Sequence, residues 1–67
     1  MVSNMRVLIV EDEYKLAELI ETRLKKENYS VDIALNGEDG AYNALTNIYD
    51  IIILVISWKR IFYVCFW

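Results

Sequence analysis

Two unbroken apolar runs bracket most of this chain, and between them the spacing of apolar residues changes from one period to another. Val7-Leu8-Ile9-Val10 stops at once at Glu11-Asp12-Glu13. Its length and β-branched content predict a strand buried on both faces. Three acids cannot share that interior, so they belong at the strand's C-terminal end. From Tyr14 to Asn28 the period becomes helical, with Leu16, Leu19, Ile20 and Leu24 on one stripe. Lys15, Glu18, Glu21, Thr22, Lys25 and Lys26 take the other side. Glu21 and Lys25 form an i,i+4 pair, and the placement of acids before the helix and lysines at its end suits the dipole.

Ser30 to Leu35 alternates, with Val31, Ile33 and Leu35 on one face and Asp32 and Ala34 on the other. That pattern predicts a short, half-exposed strand at a sheet edge. Asn36-Gly37 reads as a turn, followed by a helix from Glu38 to Asn47. Its apolar positions are Ala41, Ala44, Leu45 and Ile48, with Tyr42 on a flank, and Gly40 inside it costs about 1 kcal/mol relative to Ala. Ile51 to Ile56 is a second strand buried on both faces. Strands alternating with helices make this an α/β chain, β-α-β-α-β, with a parallel sheet and right-handed crossovers.

The last ten residues change style. Trp58-Lys59-Arg60 leads into Ile61-Phe62-Tyr63-Val64-Cys65-Phe66-Trp67. A membrane span is disfavoured, because spanning takes about 20 mainly apolar residues and Lys59 and Arg60 interrupt the run. A further strand fits the β propensity better. As a free edge it would be prone to pair, either with the third strand of its own chain or with a neighbour's, giving a homo-oligomer.

Composition narrows the class. Sixty-seven residues make one small domain, and the chain has no proline, no histidine and one cysteine. One cysteine rules out an internal disulfide framework, and the lack of histidine argues against zinc or haem. Cys65, among aromatics, is expected to be buried. The net charge of −3 divides unevenly: residues 1–50 hold ten acids and five bases, and Lys59 and Arg60 supply the remaining charge. An acidic body argues against direct nucleic-acid binding. No basic-then-apolar leader pattern opens the chain, so a cytoplasmic location is expected.

The candidate chemistry lies at the C-terminal edge of the first strand, where open α/β sheets collect ligands. Clustered carboxylates there suit a hard cation such as Mg²⁺. The plainer reading is that these acids solubilise a loop and start the helix. No nucleophile with a tuned partner is evident, so no enzymatic activity is expected.

Four segments in order carry a resemblance: Val7 through Glu13, the helix through Leu24, Asn36-Gly37-Glu38, and Tyr49-Asp50-Ile51-Ile52-Ile53-Leu54. Together they resemble the N-terminal half of a response-regulator receiver domain, the phospho-accepting module of two-component signalling. The phrasing is closest to regulators that carry a winged-helix DNA-binding domain. The resemblance implies half of a flavodoxin-like fold with strand order 2-1-3. It divides the chain into a partial receiver-like domain, 1–57, and a hydrophobic tail, 58–67, foreign to the family.

In the family, acids matching Glu11 and Asp12 bind Mg²⁺, and the backbone carbonyl of Ser57 falls at the third protein-ligand position. The phosphoacceptor aspartate's place is taken by Val55, which offers no oxygen to a phosphoryl donor. From Val55 onward the family pattern is lost abruptly, as in a shifted reading frame, a rearranged gene or a re-engineered fragment. The expectation is therefore a truncated receiver-like fragment that is not phosphorylated and binds Mg²⁺ weakly, in the millimolar range. Its parent family's partners are a histidine kinase and, through a missing domain, DNA. Two other readings stand beside it: a self-associating interaction module, and attachment to a membrane surface through the aromatic tail.

Overall fold

The computed structural model describes residues 5–56 and 61–66. In chain order it comprises β1 (Arg6–Glu11), α1 (Tyr14–Lys26), β2 (Ser30–Ala34), α2 (Gly37–Thr46), β3 (Ile51–Ile56) and β4 (Ile61–Phe66). The four strands form one sheet in the order β2-β1-β3-β4. β1 pairs in parallel with both β2 and β3, as the alternating pattern requires. β4 runs antiparallel to β3, from Ile51 opposite Phe66 to Ile56 opposite Ile61. The aromatic segment thus adds a strand and covers the edge of β3 within the chain.

β1 is the centre of the packing because its side chains alternate between two apolar layers. On one face Val7 and Ile9 meet Ala17, with Ile20, Leu24, Tyr29, Val31 and Ile33 packed around them. On the other, Leu8 and Val10 meet Ala34 and Tyr49, with Ala44, Ile52 and Leu54 alongside. α1 lies over the first layer and α2 closes the second.

Both helices pack through smaller residues than the bulk of their apolar positions predicts. In α1 the fully buried residue is Ala17, and Leu19 is 70% exposed, outside the stripe to which its size and spacing assigned it. The contact line runs through Ala17, Ile20 and Leu24, spaced i, i+3 and i+7. In α2 the buried position is Gly40, whereas Leu45 is 86% exposed and Ala41 faces outward too; Ile48, expected on the same stripe, lies beyond the helix end at Thr46 and is 82% exposed. A Cβ at Gly40 would lie 2.8 Å from Cγ2 of Val10 and 3.0 Å from Cγ1. The glycine that looked like a weak point is the position where helix and strand touch. Ala34, assigned to the polar face of β2, is buried because that face is covered as well. Leu35 lies just past the strand and is exposed.

The helix ends are set by asparagines. α1 stops at Lys26, two residues short of the Asn28 predicted from periodicity, because Asn28 adopts φ 70°, the left-handed region. The Asn28 N–H donates to the Lys25 carbonyl and the Tyr29 N–H to the Leu24 carbonyl, at 3.0 and 3.2 Å. This is a Schellman closure, and Leu24 and Tyr29 pack in the same apolar layer. α2 begins at Gly37 with Asn36 as its N-cap, where the notional turn was expected. The Asn36 side chain accepts from the Asp39 N–H at 2.7 Å, and its amide donates to the Asp39 carboxylate at 3.2 Å.

Asn28→Gly is expected to stabilise the fold by a few tenths to about 1 kcal/mol, since glycine enters the left-handed region without a Cβ penalty. Urea denaturation checks this; an unchanged or lower midpoint would contradict the closure at Asn28.

Candidate site at the C-terminal edge of β1

Strand alternation separates the two adjacent acids that the sequence singles out. Glu11 is the last residue of β1 and is completely buried. Asp12, one residue later, is exposed. Glu11 Oε2 accepts the Glu13 N–H at 2.7 Å, where Glu13 is the N-cap of α1 and lends no side-chain cap of its own. The carboxylate therefore fixes how the chain leaves the sheet and enters the helix. Its other oxygen, Oε1, is buried with no hydrogen-bond partner.

Across the parallel pairing, Glu11 lies in register with Val55. Val55 is buried, so the position opposite the acid presents methyl groups. A cavity of about 390 Å³ opens here. Val10, Leu54 and Val55 form its apolar wall, Glu11 and Asp12 its acidic side, and Asn36-Gly37 the remaining rim. The sequence pattern located the acids and Val55 but gave Asn36-Gly37, read as a turn and as part of the family resemblance, no place at the site. The signal for its place at the site was available, since that dipeptide follows β2 directly and so emerges at the same sheet edge.

Burial pushes the Glu11 carboxyl above its ordinary value of 4.5. Loss of water is the largest cause; the Glu13 N–H, which favours the charged form, pulls it back in part. Asp12 raises it further through a hydrogen bond and through its charge, and the charge of Glu13 adds to this. A carboxyl raised in the folded state favours folding in its protonated form. Its contribution is complete below pH 4.5 and is lost as pH rises through the folded value. Glu11→Gln is therefore expected to flatten the decline in stability above pH 4.5. Urea midpoints measured at several pH values test this; parallel profiles for the two proteins would refute it.

Of the Mg²⁺ ligands that the family pattern implies, Glu11 and Asp12 lie within the described residues. Among the described residues no grouping of three or more histidine, cysteine, aspartate or glutamate side chains could hold a metal. Ser57, whose carbonyl the family pattern would place third, lies outside the described residues. Glu11 and Asp12 alone leave a bound Mg²⁺ coordinated mainly by water.

A second polar group anchors β1 to its neighbours. The Tyr49 hydroxyl donates to Asp32 Oδ2 at 2.6 Å, and Arg6 Nη2 lies 3.5 Å from the same oxygen. The Arg6 guanidinium sits 5.2 Å from the centroid of the Tyr49 ring. Burial, then the bond to Asp32, pushes the Tyr49 hydroxyl up to about 12, so it remains a donor. Arg6 and Asp50 exchange further bonds: the Arg6 N–H donates to Asp50 Oδ2 and the Asp50 N–H to the Arg6 carbonyl, both at 2.8 Å. These groups are mutually satisfied and fix the register of β1 with β3.

Comparison with known proteins agrees with this architecture. The chain is 53% identical over 49 residues to the response regulator ArlR of Staphylococcus saprophyticus. It is 51% identical over 49 residues to ArlR of Staphylococcus aureus, and 48% identical over 52 residues to the transcriptional regulatory protein DltR of Streptococcus agalactiae. The matches take in 73%, 73% and 78% of this chain, but only 22%, 22% and 23% of the relatives. The chain thus matches less than a quarter of the length of these curated relatives. No protein-family profile matches it, and no solved structure does.

Proposed function

This chain carries the N-terminal half of a response-regulator receiver domain, and from that premise we propose that it is a receiver-like fragment that does not accept phosphate. The observation that supports this is Val55, buried and in register with Glu11 at the mouth of the acidic cavity. The position that faces the acids holds methyl groups where a transferable phosphoryl group would need an attacking oxygen. Mg²⁺ binding through Glu11, Asp12 and the Ser57 carbonyl belongs to the same reading and is weak, in the millimolar range. So do a cytoplasmic home, the lack of an enzymatic activity of its own, and a histidine kinase and DNA as partners of the parent family. Among the described residues, no helix is long and apolar enough to cross a membrane.

Incubation with acetyl phosphate and Mg²⁺, followed by intact-mass measurement, tests the proposal. No phosphate-sized mass increase is expected; incorporation at any aspartate would overturn it. A self-associating module is the second reading, favoured by the nearly complete exposure of Leu45 on α2 and of Ile48 just past its end. Light scattering at rising concentration distinguishes the two behaviours, and a monomer throughout would dismiss association.

A further inference from the structure

We propose that the outer face of α1 docks on the outer face of α2 of a second copy of this chain, so that copies add head to tail. The contact rests on the self-associating reading above and gives that reading two distinct surfaces. Each helix turns a small residue to the sheet and a large apolar one to water. On α1, Leu19 is exposed while Ala17 is buried. On α2, Tyr42 and Leu45 are exposed while Gly40 is buried. Joining the two faces removes all three large side chains from water.

Charge decides which face meets which. Lys15, Leu19, Arg23 and Lys26 are all exposed and recur at i, i+4, i+8 and i+11, a single stripe with a leucine among three bases. Glu18 borders that stripe, one acid against the three. Glu38, Tyr42 and Leu45 are exposed at i, i+4 and i+7, with Asp39 beside them. From Glu27 to Trp58 the chain holds five acids and no lysine or arginine, so α2 has no base to offset its own. Among the described residues, ion pairs occupy Arg6 and Lys25 but not the three bases of the α1 stripe. Two α2 faces together would set acid against acid, and two α1 faces base against base. Only the mixed pairing brings opposite charges around an apolar centre.

An antiparallel approach suits both ends of the pair. With Leu19 between Tyr42 and Leu45, Arg23 and Lys26 near the end of α1 fall beside Glu38 and Asp39 in the first turn of α2. Lys15 then faces the last turn of α2, which carries no base of its own to oppose the helix dipole. A parallel approach would carry Lys26 past the end of α2 at Thr46. Because α1 and α2 cover opposite faces of the sheet, a copy bound through one helix keeps the other open. The contact is heterologous, and growth does not stop at a dimer.

Light scattering and sedimentation of the full chain test this with Leu19→Asp and Leu45→Asp, with circular dichroism confirming that each variant folds. The mass of the unsubstituted chain is expected to rise with concentration beyond that of a dimer. Each variant alone is expected to need at least tenfold higher concentration, since each lacks one face. Mixed one to one, they are expected to associate at the original concentration and to stop at a pair. In that pair Leu45→Asp supplies the intact α1 and Leu19→Asp the intact α2. Charge reversal keeps the test available if an aspartate variant loses its fold: Lys26→Glu is expected to weaken association, and Glu38→Lys in the same chain to restore it. An unsubstituted chain that stays monomeric would overturn the contact together with the self-associating reading. A chain that associates, while the variants neither weaken it nor complement each other, would overturn the contact alone.

Discussion

Leu8→Ala is expected to leave this protein largely unfolded at 25 °C. Leu8 is fully buried at the centre of the middle strand, between Val10, Ala34 and Tyr49. Truncating a buried leucine costs about 2–5 kcal/mol, from lost transfer energy and from the cavity left behind. A core of this size rarely supplies more than about 3–5 kcal/mol of net stability. The loss and the reserve are thus of the same order, even though Val7 and Ile9 still pack against Ala17 on the opposite face of β1. Leu45→Ala removes the same atoms from a side chain that is 86% exposed, and is expected to change stability by less than about 0.5 kcal/mol. Far-ultraviolet circular dichroism during urea titration compares them. Equal midpoints for the two variants would show that the layer assignment of α2 and β1 is wrong.

Gly40→Ala is expected to destabilise, against the ordinary preference of helices. In an open helix this change gains about 1 kcal/mol from helix propensity. Here the added Cβ would lie 2.8 Å from one methyl of Val10 and 3.0 Å from the other. Overpacking of this kind costs about 1–3 kcal/mol, which outweighs the propensity gain over most of that range. Gly37, three residues earlier, has open space around it, so Gly37→Ala serves as the comparison that carries no clash. The decisive measurement is a double-mutant cycle. In a Val10→Ala background the methyls are gone and Gly40→Ala should turn stabilising, giving a coupling of about 1–3 kcal/mol. Additive effects would mean that helix and strand do not meet at this point.

The strands and the existence of both helices were legible because each has an unambiguous period. Four β-branched or leucine residues in a row before Glu11, and six before Ser57, leave few alternatives to buried strands. Periodicity placed Ile20, Leu24 and Ala44 on the sheet side, where they are, but misjudged which other positions make the closest contact. It weights a position by bulk, and so favoured Leu19, Leu45 and Ile48. Close approach to a flat strand surface instead selects positions where little projects, here Ala17 and Gly40. Asn28 was absorbed into α1 for a related reason: nothing in a hydrophobic pattern registers that an asparagine takes a left-handed φ. At the site, the run of acids could be seen but not sorted. Only the strand's pleat decides that Glu11 turns inward and Asp12 outward.

The antiparallel pairing of β4 has a kinetic consequence. Ile56 meets Ile61 across five positions of chain, whereas Arg6 meets Ser30 across 24 and Val7 meets Ile51 across 44. Closing the longest of these loops costs about 2 kcal/mol more entropy than closing the shortest. On loop entropy alone the β3–β4 ribbon is therefore expected to form first, so that β3 reaches β1 with one of its two edges already occupied. Substitutions that weaken the ribbon should slow folding, while those at the β1–β2 pairing should chiefly hasten unfolding. During the interval before β1 docks, an isoleucine-rich strand that would otherwise offer two open edges to other chains offers one.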